Sequence, residues 1–268
     1  MKSSRYIWPG IAILLAGLAG LAVFWLWSPQ EPAARIAGPG EALPRAEAEA
    51  EFILVEALDA ARAQAARMEL RALVVHRHGH RVFEYFAPGG NGTTQVDGGE
   101  LAIAVLQLAL PEPELPPGDE AVAALVSERI WLPLRAGDAW LSGGAGAPRQ
   151  CCIRAQLDDW VRAGDLLLGQ GAYRGERIVS ADAVRQLLAA HSPAASQGDE
   201  PMLARDGTAF DLTAGVRLWL APRRGLAILV WGKPAQARNT LLPNLILRGL
   251  NDAAPAIGGG ISDIVPGH

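Results

Sequence analysis

At 268 residues the chain is long enough for one domain with a full core once its termini are set aside. It is rich in Ala, Gly, Leu, Arg and Pro, holds only two lysines (Lys2 and Lys233), and carries a formal net charge of −4. No Lys/Arg run is long enough to track a phosphate backbone, which excludes nucleic-acid binding, and nothing in the sequence calls for a cofactor.

Residues 7–27 carry no charge over a length that crosses a ~30 Å hydrocarbon core as a helix. Trp25 and Trp27 fall at its far end, where aromatic rings favour the interface, and Lys2 and Arg5 precede it. The expectation is a single-pass anchor, with residues 1–6 cytoplasmic and the C-terminal part exported. A cleaved signal peptide is the bland alternative, but the run is long for one and no Ala-x-Ala site closes it. Residues 28–45, with Pro29, Pro32, Pro39 and Pro44, read as a semi-extended tether. A domain over 46–250 and a flexible Gly-rich tail over 251–268 follow.

Helical spacing predicts an amphipathic helix from Ala46 to Met68. Ala72–Val75 then enters a hairpin that turns near His78-Gly79 and leaves through Arg81–Phe86. Pro88–Gly92 is a loop, Leu101–Leu110 a helix apolar nearly all round and hence buried, and Pro111–Gly118 a proline-dense crossing. Helices are expected over 120–132, 154–168 and 181–190, the last N-capped by Ser180. A second hairpin pairs Gly215–Leu220 with Leu226–Trp231, and a final helix near Thr240–Arg248 stops at Gly249. The order predicts an α/β (α+β) fold, an antiparallel sheet flanked by helices.

The adjacent Cys151-Cys152 cannot staple distant elements and read as small buried residues, so export rests on the N-terminal helix alone.

Three runs carry a resemblance: Ser127-Glu128-Arg129-Ile130-Trp131-Leu132-Pro133-Leu134, then Asp158-Asp159-Trp160-Val161-Arg162-Ala163-Gly164, then Gly169–Val179. Their order resembles the class C β-lactamase-like and penicillin-binding-protein-like serine hydrolases, over roughly Phe52–Leu250. The resemblance implies a β-lactamase/transpeptidase-like fold and an acylable serine in a Ser-x-x-Lys turn at the head of a buried helix. It also implies a Tyr-x-Asn loop and a Lys-Thr-Gly or His-x-Gly strand.

Each of these is missing here. The nucleophile position reads Asp97-Gly98-Gly99-Glu100, and Ser-x-x-Lys cannot occur anywhere because position 230, three before Lys233, is Val. Tyr6, Tyr85 and Tyr173 are followed at +2 by Trp8, Ala87 and Gly175. The strand triad reads Thr213-Ala214-Gly215, and the insertion carrying the tyrosine loop is reduced to Leu110–Gly118.

Asp97 and Glu100 have a structural reading as a capping box, with Asp97 accepting a first-turn amide and Glu100 reaching back. The functional counter-reading makes them an acid–base pair or cation site. His76, His78 and His80 are spaced for a Zn²⁺ or Cu²⁺ site, against a solvated hairpin with no metal. Asp159 and Arg162 read as a buried structural pair. Arg217, with Arg223 and Arg224, reads as a solvated edge, against a pocket role for Arg217 and Thr213 in binding. Ser142 is a loop residue with no base nearby.

The expected function is therefore a membrane-anchored, periplasm-facing pseudoenzyme of the bacterial inner membrane that binds a cell-envelope protein or a peptidoglycan fragment. The alternative is an active esterase, amidase or peptidase using Asp97/Glu100 or Ser142. A pocket filled by side chains favours the first, and a cleft reaching Asp97 is needed by the second.

Overall fold

A computed structural model describes residues 34–110, 118–141, 153–191, 201–213 and 215–251. Its first strand, β1 (Ala34–Ile36), lies inside the stretch expected to be a tether. Ala34 and Ile36 are buried, Leu43 is buried beyond them, and Arg35 pairs with Asp138 at 2.7 Å. Apolar residues on alternate positions gave this segment a face to bury, so residues 34–45 belong to the domain.

Helix α1 (Val55–Arg67) begins nine residues later than the helical spacing suggested. Phe52 has φ 55°, a left-handed conformation that interrupts a helix, and residues 48–52 turn instead. Strands β2 (Ala72–Arg77) and β3 (His80–Phe86) form the expected hairpin. Its two turn residues, His78 (φ 50°) and Gly79 (φ 82°), are both left-handed, as a two-residue type I′ turn requires.

Then come β4 (Gln95–Asp97), the buried helix α2 (Gly99–Ala109) and α3 (Asp119–Val126), which runs into one wide helical turn over Ser127–Trp131. Strands β5 (Ala139–Leu141) and β6 (Ile153–Gln156) precede α4 (Leu157–Leu168). The helix expected from Arg154 is thus a strand for its first three residues. Ile153 and Ala155 are buried while Arg154 is exposed, the period-2 pattern of a strand. A short hairpin of β7 (Ala172–Tyr173) and β8 (Glu176–Arg177) leads to α5 (Ala181–Ala190), whose first turn is capped by Ser180 Oγ accepting from Ala183 N at 3.1 Å. Strands β9 (Thr208–Asp211), β10 (Val216–Ala221) and β11 (Leu226–Trp231) and helices α6 (Pro234–Ala237) and α7 (Leu241–Arg248) complete the described chain.

The main sheet has the order β3-β2-β11-β10-β9, antiparallel throughout, and a smaller sheet has the order β1-β5-β6-β4. Alternation sorts the main sheet's side chains cleanly. Ala72, Val74, Leu218, Leu220, Ala227 and Leu229 join the core that contains α2 and α4. Leu73, Val75, Trp219, Ile228 and Val230 face α1 and α7 through Leu58, Ala61, Leu242 and Ile246. A strand buried on both faces is apolar at nearly every position, as β11 is throughout and β2 is over Ala72–Val75.

The runs that carried the resemblance are the packing centre. Trp131 and Trp160 are fully buried and meet edge to face, with centroids 5.7 Å apart. Asp159 Oδ1 takes Arg162 Nη1 at 2.6 Å and Gly137 N at 2.9 Å, and Arg162 Nη2 donates to the carbonyl of Glu41. Gly164 lets α4 approach the sheet: a Cβ there would sit 2.7 Å from Leu218 Cδ2.

Among the described residues no helix is long and apolar enough to cross a membrane. The expected anchor over 7–27, Pro111–Pro117, Ser142, Cys151-Cys152 and the C-terminal tail from Asp252 on lie outside the described residues.

Candidate functional site

Helix α2 starts where β4 ends, and both are fixed by two glycines. At Gly98 a side chain would collide with the Trp160 ring, whose Nε1 donates to Val96 O at 3.1 Å. Gly99 has φ +48°, and a Cβ on it would strike the carbonyl of Leu212. The Asp-Gly-Gly-Glu turn is therefore a place where the start of α2 is pressed between α4 and the chain leaving β9.

The capping box is not formed. The helix begins after Gly98, which makes no side-chain cap, and Asp97 is the exposed last residue of β4. Glu100 turns the other way, where its Oε2 accepts Asp211 N at 2.9 Å and lies 3.6 Å from His191 Nε2. A carboxylate that finds a strand amide has no need to reach back to its own helix.

The two carboxylates open onto different clefts. Asp97 lines one of about 280 Å³ with Arg71, Gln95, Val96, Arg154, Thr213 and Trp231. Glu100 lines another, of about 250 Å³, with residues of α2 and α5 and His191. Each carboxylate thus has its own surroundings, Asp97 in the first cleft and Glu100 beside Asp211 and His191. The Asp97 cleft brings together two of the expected site positions, Asp97 and Thr213. Among the described residues its lining holds one carboxylate, one hydroxyl, one amide and two guanidinium groups, with no Ser, Cys, His, Tyr or Lys.

Arg217 is not at a solvated edge. It sits on β10, between β9 and β11, with 2% exposure. Its Nη1 donates to Asp211 Oδ1 at 2.9 Å, and its guanidinium stands 4.5 Å over the Trp219 ring. Burial draws its pKa below the ordinary arginine range, against the pull of Asp211. It braces the β9–β10 pair away from the cleft.

The three histidines do not converge on one point: His76 goes to Asp165, His78 and His80 to Glu51. His76 is fully buried and bonds Asp165 Oδ2 through Nδ1 at 2.9 Å, so the hairpin is not solvated along its length. His78 in the turn and His80 at the start of β3 share one partner, their Nδ1 atoms each lying 2.7 Å from one oxygen of Glu51. Among the described residues no group of three or more His, Cys, Asp or Glu is placed to hold a metal ion.

Sequence reasoning missed Arg71, Gln95, Arg154 and Trp231 as cleft residues. Arg154 was hidden inside a predicted helix; the alternation Ile153-Arg154-Ala155-Gln156 was the signal that placed it on a strand.

This architecture, a mixed α/β arrangement of antiparallel sheet and helices, is the β-lactamase/transpeptidase fold. A Bacteroides dorei protein assigned to the β-lactamases shares it at a TM-score of 0.50 and 13% identity, over 74% of this chain and 99% of that one. A Bacillus anthracis protein assigned as a 6-aminohexanoate-dimer hydrolase is similar at 0.49 and 14%, over 79% and 89%. A Mycobacterium bovis β-lactamase is similar at 0.48 and 13%, over 70% and 97%. No protein-family model and no curated protein matches the sequence.

Proposed function

We propose that this chain is a catalytically inactive relative of the β-lactamase-like serine hydrolases that acts by binding. In this reading it is anchored in a bacterial inner membrane through residues 7–27, with its domain in the periplasm. Its ligand or partner is a peptidoglycan fragment or a cell-envelope protein. The observation that carries it is the turn at the head of α2. Where the resembled family implies serine and lysine on one functional face, Asp97 and Glu100 face separate clefts, and Glu100 is engaged with the backbone of Asp211. The absence of Ser-x-x-Lys and Tyr-x-Asn from the whole sequence supports the same conclusion.

The second reading, a hydrolase with other groups, is favoured by one observation: the cleft at Asp97 is open and contains the Thr213 hydroxyl. Intact-mass analysis of the chain after incubation with a penicillin, and separately with a fluorophosphonate, separates the two. An unmodified mass is expected. A stoichiometric adduct mapped to one residue would sink the inactive reading and name the nucleophile.

A further inference from the structure

The turn that leads into α1 puts large apolar side chains in water. Phe52, Leu54 and Val55 are 40%, 56% and 38% exposed, while Ile53 among them is buried with Leu58 and Ala61 of α1. The backbone beneath them is fixed from several sides. Phe52 has φ 55°, where glycine is at home and a bulky side chain is strained. Its carbonyl accepts Arg77 Nη1 at 2.9 Å and Asn251 N at 3.0 Å, and Leu54 N donates to Gly249 O at 2.9 Å. The neighbouring Glu51 carboxylate is held by His78 and His80. Strain kept by so many contacts holds the ring in one place, and a rigid aromatic beside aliphatic side chains is the make-up of a binding hot spot.

The charge around the patch decides what it can meet. From Ala46 to Ala61 the chain has five acidic residues and no Lys or Arg, and Glu47, Glu49, Glu56 and Asp59 are exposed. Arg45 and Arg62, which bound this run, turn to β3, one bonding Glu84 and the other standing over the Phe83 ring. Arg77 is buried, and Arg248 ends α7, so the rim is acidic in balance. An acidic rim repels the same face of a second copy, and it repels an anionic lipid surface. We propose that the Phe52–Val55 patch docks a segment of another protein that has an apolar stripe bordered by lysine or arginine. The apolar side chains supply the contact area, and the carboxylates select the sign of the partner's charge. This surface is separate from the Asp97 cleft, because α1 and α2 pack on opposite faces of the main sheet, so the assignment stands whether or not that cleft reacts.

The test is fluorescence anisotropy of a dye-labelled synthetic helix with a leucine stripe and lysine flanks, titrated with the full chain in nonionic detergent micelles. Empty micelles set the baseline, and a glutamate-flanked helix is the comparison. The lysine helix is expected to bind about tenfold more tightly than the glutamate helix, and more weakly as salt is raised. Phe52→Gly and Leu54→Ser should each weaken it by about tenfold. Glycine adopts φ 55° without strain, so Phe52→Gly removes the ring and keeps the turn. Thermal melting checks both variants, and Leu54→Ser, at the more exposed position, decides alone if Phe52→Gly melts early. Glu49→Gln combined with Glu56→Gln should weaken the lysine helix and lessen its salt dependence. No binding by the wild type, affinity unchanged in both apolar variants, or equal affinity for the glutamate helix overturns the proposal. Sedimentation of the wild type as a dimer that Leu54→Ser dissolves also overturns it, in favour of a second copy. Binding seen only after removal of residues 252–268 overturns it in favour of the chain's own C-terminal segment.

Discussion

The six-membered ring of Trp160 lies against Gly98, so that α4 occupies the space a side chain would need at the head of α2. Gly98→Ala puts a methyl group into that ring and is expected to cost roughly 1–3 kcal/mol, as other insertions into a packed core do. Trp160→Phe removes the two colliding carbons together with the bond to Val96 O. The double variant should therefore be more stable than the sum of the two single losses predicts. Chemical denaturation of the four proteins gives the coupling, and simple additivity would show that the two residues do not constrain each other.

That same constraint predicts what grafting will not achieve. Asp97→Ser combined with Glu100→Lys restores the letters of the family's motif on α2. The lysine, however, starts from a backbone position whose side chain faces α5 and His191 rather than the cleft. No adduct with penicillin should form. The double variant also loses the acceptor for Asp211 N, about 1 kcal/mol for a bond of this kind, and the Asp211 amide should exchange faster with deuterium. Acylation at residue 97 would refute the divergent orientation.

How much of this was legible in the sequence depended on whether an element's pattern was local. The two hairpins of the main sheet, α2, α5 and its Ser180 cap were readable because periodicity and capping are short-range signals. The smaller sheet was not. Its strands are three or four residues long, β1 hides among prolines and glycines, and β6 runs directly into α4 without a breaker. The direction of a side chain was harder still. Asp97 and Glu100 fit a capping box in sequence, and only the proximity of β9, 111 residues away along the chain, gives Glu100 a better partner. Arg217 looked solvated because nothing local reveals that β10 is an interior strand between β9 and β11.

Gly164 is the glycine of the run Asp159-x-x-Arg162-x-Gly164, and its role here is spacing. Its absent side chain leaves room for Leu218 and Leu220, which a Cβ would meet at 2.7 Å and 3.2 Å. Gly164→Val should destabilise by roughly 1–3 kcal/mol, and Leu218→Ala should cost less in that background than in the wild type. Denaturation midpoints of the pair decide it. Equal cost of Leu218→Ala in both backgrounds would mean that the helix moves away instead of clashing.

Asp159 and Arg162 form an ion pair with side chains 0% and 3% exposed. Burial pushes the Asp159 carboxyl above its ordinary range, although Gly137 N and Arg162 pull the other way. Arg162→Met leaves that carboxylate buried without its cation and should cost about 3 kcal/mol near neutral pH. The sign of the pH dependence follows from the raised value. Between the ordinary aspartate pKa and the folded one, the native state holds more protons than the unfolded chain, so this group's contribution to stability falls as pH rises through that window. The deficit of Arg162→Met should therefore shrink as the pH is lowered through the window, because a protonated Asp159 no longer needs the cation. In an Asp159→Asn/Arg162→Met background it should stay flat over the same window. Urea melts at pH 4, 5 and 7 measure this, and a deficit that grows on acidification would show that the carboxyl stays ionised and is stabilised by the fold.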